Sequence, residues 1–249
     1  MPPAEVEALL AKLDRESLPN VSVNGVIFGL DGDARLAVLL MQAAGGDAWS
    51  LPGGYVRRDE SVDDAAARMV RERTGLDHTV LRQFHAFGAT NRGEAAVAEA
   101  INAFGIAIPS DHWILGRVLS VGYVALVDVS RAQVVPDTWT RAFGWWHVAE
   151  RPALIMDHYE MVERALGAVL AQLDDLPLGA TLLPAAFTMP ELQRVYEAVL
   201  GRSLDRRNFQ KRMMELRLVE RLPDQRIGRR RKPAYVYRWT GGASATGAG

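Results

Sequence analysis

The sequence predicts an α/β protein in two parts: a layered body of strands and helices, then a small, strongly basic module. Three observations predict it. Apolar runs of strand length alternate with helical stripes from about residue 18 to 175, as they do where helices cover a sheet. Between Arg202 and Lys232 twelve Lys/Arg stand against four Asp/Glu, a local balance of +8, so the remainder sums to −9 within a net charge of −1. A long motif of fixed spacing fills residues 49–76. Charge asymmetry of this size suggests a neutral or acidic body carrying a nucleic-acid-facing module.

Composition excludes several classes. With 249 residues and 49% hydrophobic content there is material for one large or two modest cores, and no apolar run is long enough to span a bilayer. The start, Met1-Pro-Pro-Ala-Glu, lacks the basic and apolar regions of a signal peptide. The chain has no cysteine, so disulfides and thiolate metal sites are excluded, consistent with a cytoplasmic location.

Taken in order, residues 1–17 hold a short amphipathic helix with Val6, Leu9, Leu10 and Leu13 on one face. Strands follow at Val21–Leu30 and Leu36–Met41 around the turn Asp31-Gly32-Asp33. A helix from about Val62 to Arg73 stops at Gly75. Val80–Phe87 and Val118–Val127 are strands, the second nearly continuously apolar and so expected in the middle of the sheet. Ala142–Val148 is a further strand. Asp157, with Glu160 as a capping box, starts a helix whose expected buried stripe is Tyr159, Val162, Leu166, Val169, Leu170 and Leu173. Residues 93–116 interrupt the alternation, with a helical run from Glu94 to Phe104. This insertion is either a surface decoration or a lid over a pocket. The last residues, 241–249, are small and polar and form a disordered tail.

The motif begins at Trp49-Ser-Leu-Pro-Gly-Gly54, whose glycines permit a tight turn and close backbone approach. Gly54 is followed after five residues by Glu60, and after seven more by Arg68-Met69-Val70-Arg71-Glu72-Arg73-Thr74-Gly75-Leu76. Positions 69, 72 and 73 are related by i, i+3 and i+4, so they are expected on one helix face. Three carboxylates there would form an anionic cluster suited to Mg²⁺, a hard cation that takes oxygen ligands. This chain offers a thioether, one carboxylate and a guanidinium. Arg73 can neutralise Glu72 or meet a phosphate with its planar fork.

The string closely resembles the Nudix box, in which Gly and Glu are followed by Arg-Glu-apolar-any-Glu-Glu-any-Gly-apolar. Met69 and Arg73 stand where Glu is expected. The resemblance implies a Nudix α/β/α sandwich with a mixed sheet over residues 18–175. It also implies a pocket that binds a nucleotide without cutting it, so that no catalytic residue, metal or cofactor is expected.

Residues 176–240 have the pattern of a winged helix-turn-helix. Thr188, Pro190 and Glu191 mark a capped helix start, Leu192, Val195, Tyr196 and Val199 its buried face, and Gly201 its end. Asp205 can cap a second helix reaching about Arg217, with Phe209, Met213 and Leu216 inward and Arg206, Arg207, Gln210, Lys211 and Met214 outward. Exposed Arg, Gln and Lys on the first turns of such a helix suit major-groove reading. Strands at Val219–Pro223 and Ala234–Trp239 would flank a basic wing, Gln225 to Lys232.

Together the two parts resemble the Nudix-related transcriptional regulators of the NrtR family. The resemblance rests on Phe187–Gly201, Asn208-Phe209, Arg231–Arg238, Ser120–Tyr123 and Asp157-His158. It implies a homodimeric repressor that leaves a palindromic DNA operator when ADP-ribose, or a related nucleotide or sugar, enters the Nudix pocket. Gly53, Gly54, Glu60, Arg68, Glu72, Arg73 and Arg117 are candidates for the effector side, Glu60 and Arg68 alternatively bridging loop to helix. Arg206, Arg207, Asn208, Gln210, Lys211, Arg229, Arg230, Arg231 and Lys232 are candidates for DNA contact. Gln42 departs from the family, standing where an Arg commonly follows the second strand. Two other readings stay open: an active Nudix pyrophosphatase on a nucleoside diphosphate derivative, and an adaptor whose basic module binds RNA or an acidic protein.

Overall fold

The protein, seen in a computed structural model, is described over residues 3–32, 34–43, 47–77, 79–90, 92, 108–134, 140–171, 182–227 and 234–240. The expected helical run 94–104, the wing tip with Arg229, Arg230, Arg231 and Lys232, and the tail lie outside these residues.

The body is built on a mixed sheet of β1 (Ser17–Leu30), β2 (Leu36–Ala43), β3 (Trp49–Ser50), β4 (Gly53–Arg57), β5 (Arg82–Phe87), β6 (Leu119–Asp128) and β7 (Thr140–His147). The path β3-β2-β1-β6-β5 carries β4 against β1 and β7 against β2. β1 and β6 run parallel over ten paired residues, Val21↔Leu119 to Leu30↔Asp128, and the other pairings are antiparallel. The apolar run at β6 is therefore interior, as expected for a strand covered on both sides.

Period-two alternation sorts the side chains onto two faces. Val23, Ile27, Leu39, Tyr123, Ala125 and Val127 meet α2 (Val62–Thr74), which contributes Ala65, Ala66, Met69 and Val70. Val26, Phe28, Val38, Leu40, Val124 and Leu126 face α3 (His158–Ala171), with its Met161, Val162, Ala165 and Val169. The result is helix, sheet, helix. α1 (Pro3–Glu16) docks on the body through Leu10 and Leu13 against Ile114 and Trp113, and Asp14 accepts the Trp113 indole N–H at 2.7 Å. The C-terminal half of the insertion thus serves as its seat.

The α3 stripe differs from expectation. Tyr159 is 57% exposed and Leu170 37%, while His158, Met161 and Ala165 are inside. The Tyr159 ring lies under the Arg151 guanidinium at 4.1 Å, a contact that holds it on the surface. The expected capping box is also replaced: Asp157 accepts from Arg92, and Glu160 from Arg164 at 2.6 Å.

The C-terminal module contains β8 (Phe187–Thr188), α4 (Met189–Leu200), α5 (Arg206–Glu215), β9 (Val219–Ile227) and β10 (Ala234–Trp239), with sheet order β8-β10-β9. Its Phe187, Leu192, Tyr196, Phe209 and Met213 belong to the same contiguous apolar cluster as the α3 face of the body. Leu216, expected inward, is 40% exposed. Leu216 still has helical dihedrals and donates its N–H to the Arg212 carbonyl at 2.9 Å, but the chain turns away directly after it, where Arg217 adopts a left-handed φ of 53°.

Candidate functional site

Gly53 and Gly54 open β4, opposite Asn24 and Val23 of β1. A Cβ on Gly53 would lie 2.5 Å from the Asn24 amide nitrogen and 3.0 Å from the Val23 carbonyl, so the close strand approach requires glycine there. Asn24 itself ends a buried polar chain: Ser22 Oγ donates to Ser120 Oγ at 2.9 Å, and Ser120 Oγ donates to Asn24 Oδ1. A Cβ on Gly54 would meet nothing within 4 Å, so that side is open.

The loop after β4 is knitted to α2 by one guanidinium. Arg68 donates to both Glu60 oxygens, at 2.9 and 2.6 Å, to the Tyr55 carbonyl at 3.1 Å and to Glu72 at 3.2 Å. Glu60 also accepts the Arg57 backbone N–H at 2.8 Å. The Arg68 hydrogen bond beside Glu60 holds its carboxyl below the usual carboxylate range. Bidentate, part-buried pairs of this kind are geometrically specific. The geometry therefore favours the bridging role for Glu60 and Arg68. Ser61 caps α2 by accepting from the Asp64 N–H at 3.1 Å, while Glu72 stands exposed between Arg68 and Arg57, the latter at 3.6 Å.

Met69 and Glu72, one turn apart on α2, differ in depth: Met69 turns into the core and Glu72 stays exposed. Met69 is 1% exposed and packs in the apolar layer between α2 and the sheet. α2 buries Ala65, Ala66, Met69 and Val70 as one stripe, and position 69 falls inside it. Arg73 is half-buried. Among the described residues no cluster of three or more His, Asp or Glu side chains is placed to hold a metal ion. Arg117 makes its described contacts elsewhere: it is exposed, donates to the Gly88 carbonyl, and its own carbonyl accepts from Asn20 at 2.9 Å. The Gln42 amide is tied to the Asp47 carbonyl at 3.2 Å.

Sequence reasoning missed a buried polar group beside this loop. Arg92, 4% exposed, donates through Nε to Asp157 at 3.0 and 2.8 Å and through Nη1 to the Val118 carbonyl at 3.2 Å. His158 Nδ1 accepts the Leu51 backbone N–H at 3.0 Å. Burial and the neighbouring Arg92 charge pull the His158 pKa down to about 4, so the ring is neutral at pH 7. Burial likewise pushes the Tyr55 phenol up to about 12. Asp157-His158 was visible as a family landmark, but Arg92 sits at the edge of the insertion with no local pattern to reveal a partner 65 positions away.

The basic face is built with equal economy. Thr188 and Glu191 form a complete capping box, with Pro190 in the first turn of α4. The turn to α5 is held from α4: Glu197 accepts the Leu204 N–H at 2.8 Å, and Gln193 donates to the Leu204 carbonyl at 2.8 Å. Asp205 caps α5 by accepting from Asn208 N at 2.8 Å. Phe209, in edge contact with Tyr196 at 5.2 Å, and Met213 anchor the helix inward. Arg206, Arg207, Asn208, Gln210 and Lys211 are all exposed. With Asp205 and Met214, four of them line a concavity of about 650 Å³. Cationic and amide side chains on an exposed, rigidly seated helix can contact phosphates and base edges.

The comparisons agree with both halves. The NUDIX domain profile matches residues 18–164, and the NrtR DNA-binding winged helix domain matches residues 179–239. The chain is 27% identical over 243 residues to the ADPR responsive transcriptional repressor NtrR of Acinetobacter baylyi, covering 94% of this chain and 88% of that protein. It is similar to the crystal structure of Shewanella oneidensis NrtR complexed with a 27mer DNA, with TM-score 0.66, 26% identity and coverage of 88% of this chain and 93% of that one. A MutT/nudix family protein from Enterococcus faecalis shares the fold at TM-score 0.67 and 22% identity, over 96% and 94% of the two chains. The chain belongs to the Nudix family, in the branch that carries an NrtR DNA-binding winged helix domain.

Proposed function

We propose that this chain is a ligand-responsive transcriptional repressor of the cytoplasm, binding a palindromic operator through its winged helix and ADP-ribose, or a related nucleotide or sugar, through its Nudix domain. The observation that carries the reading is the exposed cationic face of α5, capped by Asp205 and seated on Phe209 and Met213. The similarity to a repressor described as ADPR responsive supports the effector class. Arg206, Arg207, Asn208, Gln210 and Lys211 supply contacts from α5, and Arg229, Arg230, Arg231 and Lys232 contacts from the wing. In a homodimer two such helices enter major grooves about one turn, roughly 34–36 Å, apart.

The Nudix domain binds without cutting. Metal-assisted hydrolysis needs a fixed ion and an activated water. Where the box expects Glu, this helix carries a core methionine at 69 and an arginine at 73, and Glu72 is held between two guanidiniums. Gly53, Gly54, Glu72, Arg73 and Arg117 face or flank the effector, with Glu60 and Arg68 shaping the loop. Fluorescence anisotropy on genomic fragments selected by the purified protein, with and without ADP-ribose, tests the reading. Saturable operator binding weakened by ADP-ribose is expected. Operator binding indifferent to every nucleotide and sugar tried, or robust Mg²⁺-dependent release of AMP from ADP-ribose, would overturn it.

A further inference from the structure

The box loop and the helix that leads toward the DNA-binding module are joined at one point. Three contacts between residues 49–51 and residues 154–158 make the joint. Trp49 forms a β-bridge with Leu154, the Ile155 N–H donates to the Trp49 carbonyl at 2.9 Å, and the Leu51 N–H donates to His158 Nδ1 at 3.0 Å. On its other side the same segment is tied to the sheet, since the Gly25 N–H donates to the Pro52 carbonyl at 2.8 Å. Residues 51 and 52 therefore lie between β1 and the start of α3, immediately before Gly53 and Gly54.

A second clamp holds the residue before α3. The Arg92 guanidinium holds Asp157 and the Val118 carbonyl, and the Val118 N–H returns a bond to the Arg92 carbonyl at 3.4 Å. Beyond these clamps α3 runs to Ala171, and its Val162, Ala165 and Val169 share one apolar cluster with Phe187, Leu192 and Phe209 of the winged helix. That shared cluster is the apolar link between α3 and the winged helix.

The joint is not fully satisfied. His158 accepts at Nδ1, so its ring proton is on Nε2, and that donor is buried with no partner among the described residues. Arg92 Nη2 is in the same condition. Neither atom is exposed, so neither reads as an anion site. Buried donors without a described partner are uncommon in folded proteins, and an arrangement that supplied partners to both would be a second state of the joint.

We infer that His158 is a positioning residue: with the Arg92–Asp157 clamp it forms a latch that fixes the Leu51–Gly54 loop to the start of α3, and effector occupancy of the loop is passed to the winged helix by resetting this latch. The inference rests on the repressor reading above. It places the coupling between the sites in one hydrogen bond and one ion pair, outside the groups that touch ligand or DNA.

The test compares full-length wild type with His158→Leu, which fills the space without an acceptor, and with His158→Asn, whose amide oxygen restores one. For each, the operator Kd is measured with and without saturating ADP-ribose, and ADP-ribose affinity is measured calorimetrically on the free protein. His158→Leu is expected to keep each separate affinity within about threefold while the ligand-induced ratio of operator Kd values falls at least about fivefold, and His158→Asn to recover most of that ratio. Asp157→Asn, which weakens the clamp at a less buried side chain, provides the second variant should His158→Leu fold poorly, with the same loss of coupling expected. A coupled wild type with equally coupled His158→Leu and Asp157→Asn variants overturns the latch alone. So does a parallel loss of both affinities in these variants, which marks a merely structural role. A wild type whose operator affinity ignores ADP-ribose and every related nucleotide and sugar tried overturns the repressor reading and the latch with it.

Discussion

The methyl carbon of Met69 lies 2.6 Å from where a side chain on Gly25 would begin, so the two residues divide one slot between α2 and β1. The box position that should carry a carboxylate is here part of the core. Met69→Glu is therefore expected to unfold the domain's packing rather than restore a metal site. A carboxylate at a position 1% exposed should cost at least about 3 kcal/mol. Urea unfolding reads this directly, and an unchanged midpoint would mean that position 69 reaches solvent.

Arg68→Ala removes four hydrogen bonds and leaves the part-buried Glu60 with the Arg57 backbone N–H but without its guanidinium partner. A loss of about 2–4 kcal/mol is expected, with Arg68→Lys recovering only part of it because an ammonium cannot reproduce the bidentate fork. Amide exchange at Arg57 and Arg58 should rise in step. Stability within about 0.5 kcal/mol of wild type would show the bridge to be ornamental.

Acid should weaken the body in two stages. The His158 pKa falls from 6.5 in the unfolded chain to about 4 in the folded one, so between those values the unfolded state binds more protons and stability drops as pH falls. The loss is on the order of 3 kcal/mol, complete near pH 4. The Glu60 carboxyl, held low by Arg68, adds stability that is present above 4.5 and lost below it. Unfolding free energy measured from pH 7 to 4 should slope downward in wild type and flatten in His158→Gln. An equal slope in both would place the titration elsewhere.

The double substitution Arg206→Ala, Lys211→Ala should weaken operator binding at least tenfold and reduce the log–log salt slope by about two, one for each lost phosphate contact. Lys211 already pairs with Glu215 at 3.7 Å, but so exposed a pair yields readily to phosphate. Unchanged affinity would refute the assigned face of α5.

Glu191→Ala opens the capping box of α4, in which Glu191 accepts from both the backbone and the hydroxyl of Thr188 at 2.7 and 2.8 Å. About 1 kcal/mol of stability and roughly 2–4 °C of Tm should be lost in calorimetry. No shift would mean that Pro190 alone sets the helix start.

The two capping signatures show what was legible and why. Thr188 and Glu191 act as read, because everything they need lies within one turn. Asp157 and Glu160 carry the same signature, yet Arg92, distant in the chain, claims the aspartate. Periodicity placed the α3 stripe in the right helix but counted Tyr159 and Leu170 as inward, whereas Met161 and Ala165 fill the shallow space and Arg151 keeps the phenol outside. The box was legible as a string of spacings. That one of its positions had been absorbed into the core depended on Gly25, in a strand more than forty residues earlier. The capping and anchoring of α5 were readable because Asp205, Phe209 and Met213 lie at or within the helix itself, whereas Leu216 at its end was expected inward and is 40% exposed.

The apolar cluster that runs from beneath α3 into the winged helix bears on ancestry. Each fully buried Val, Leu or Phe in it is worth about 1.5–3 kcal/mol only while its opposite wall is present. Exchanging the reader for one cut to another shape would separate the cluster's winged-helix members, Phe187 among them, from its α3 members, Val169 among them. Such a chimera would be sticky before it was functional. The sensing and reading halves are thus expected to be inherited, and to be redesigned, as one piece.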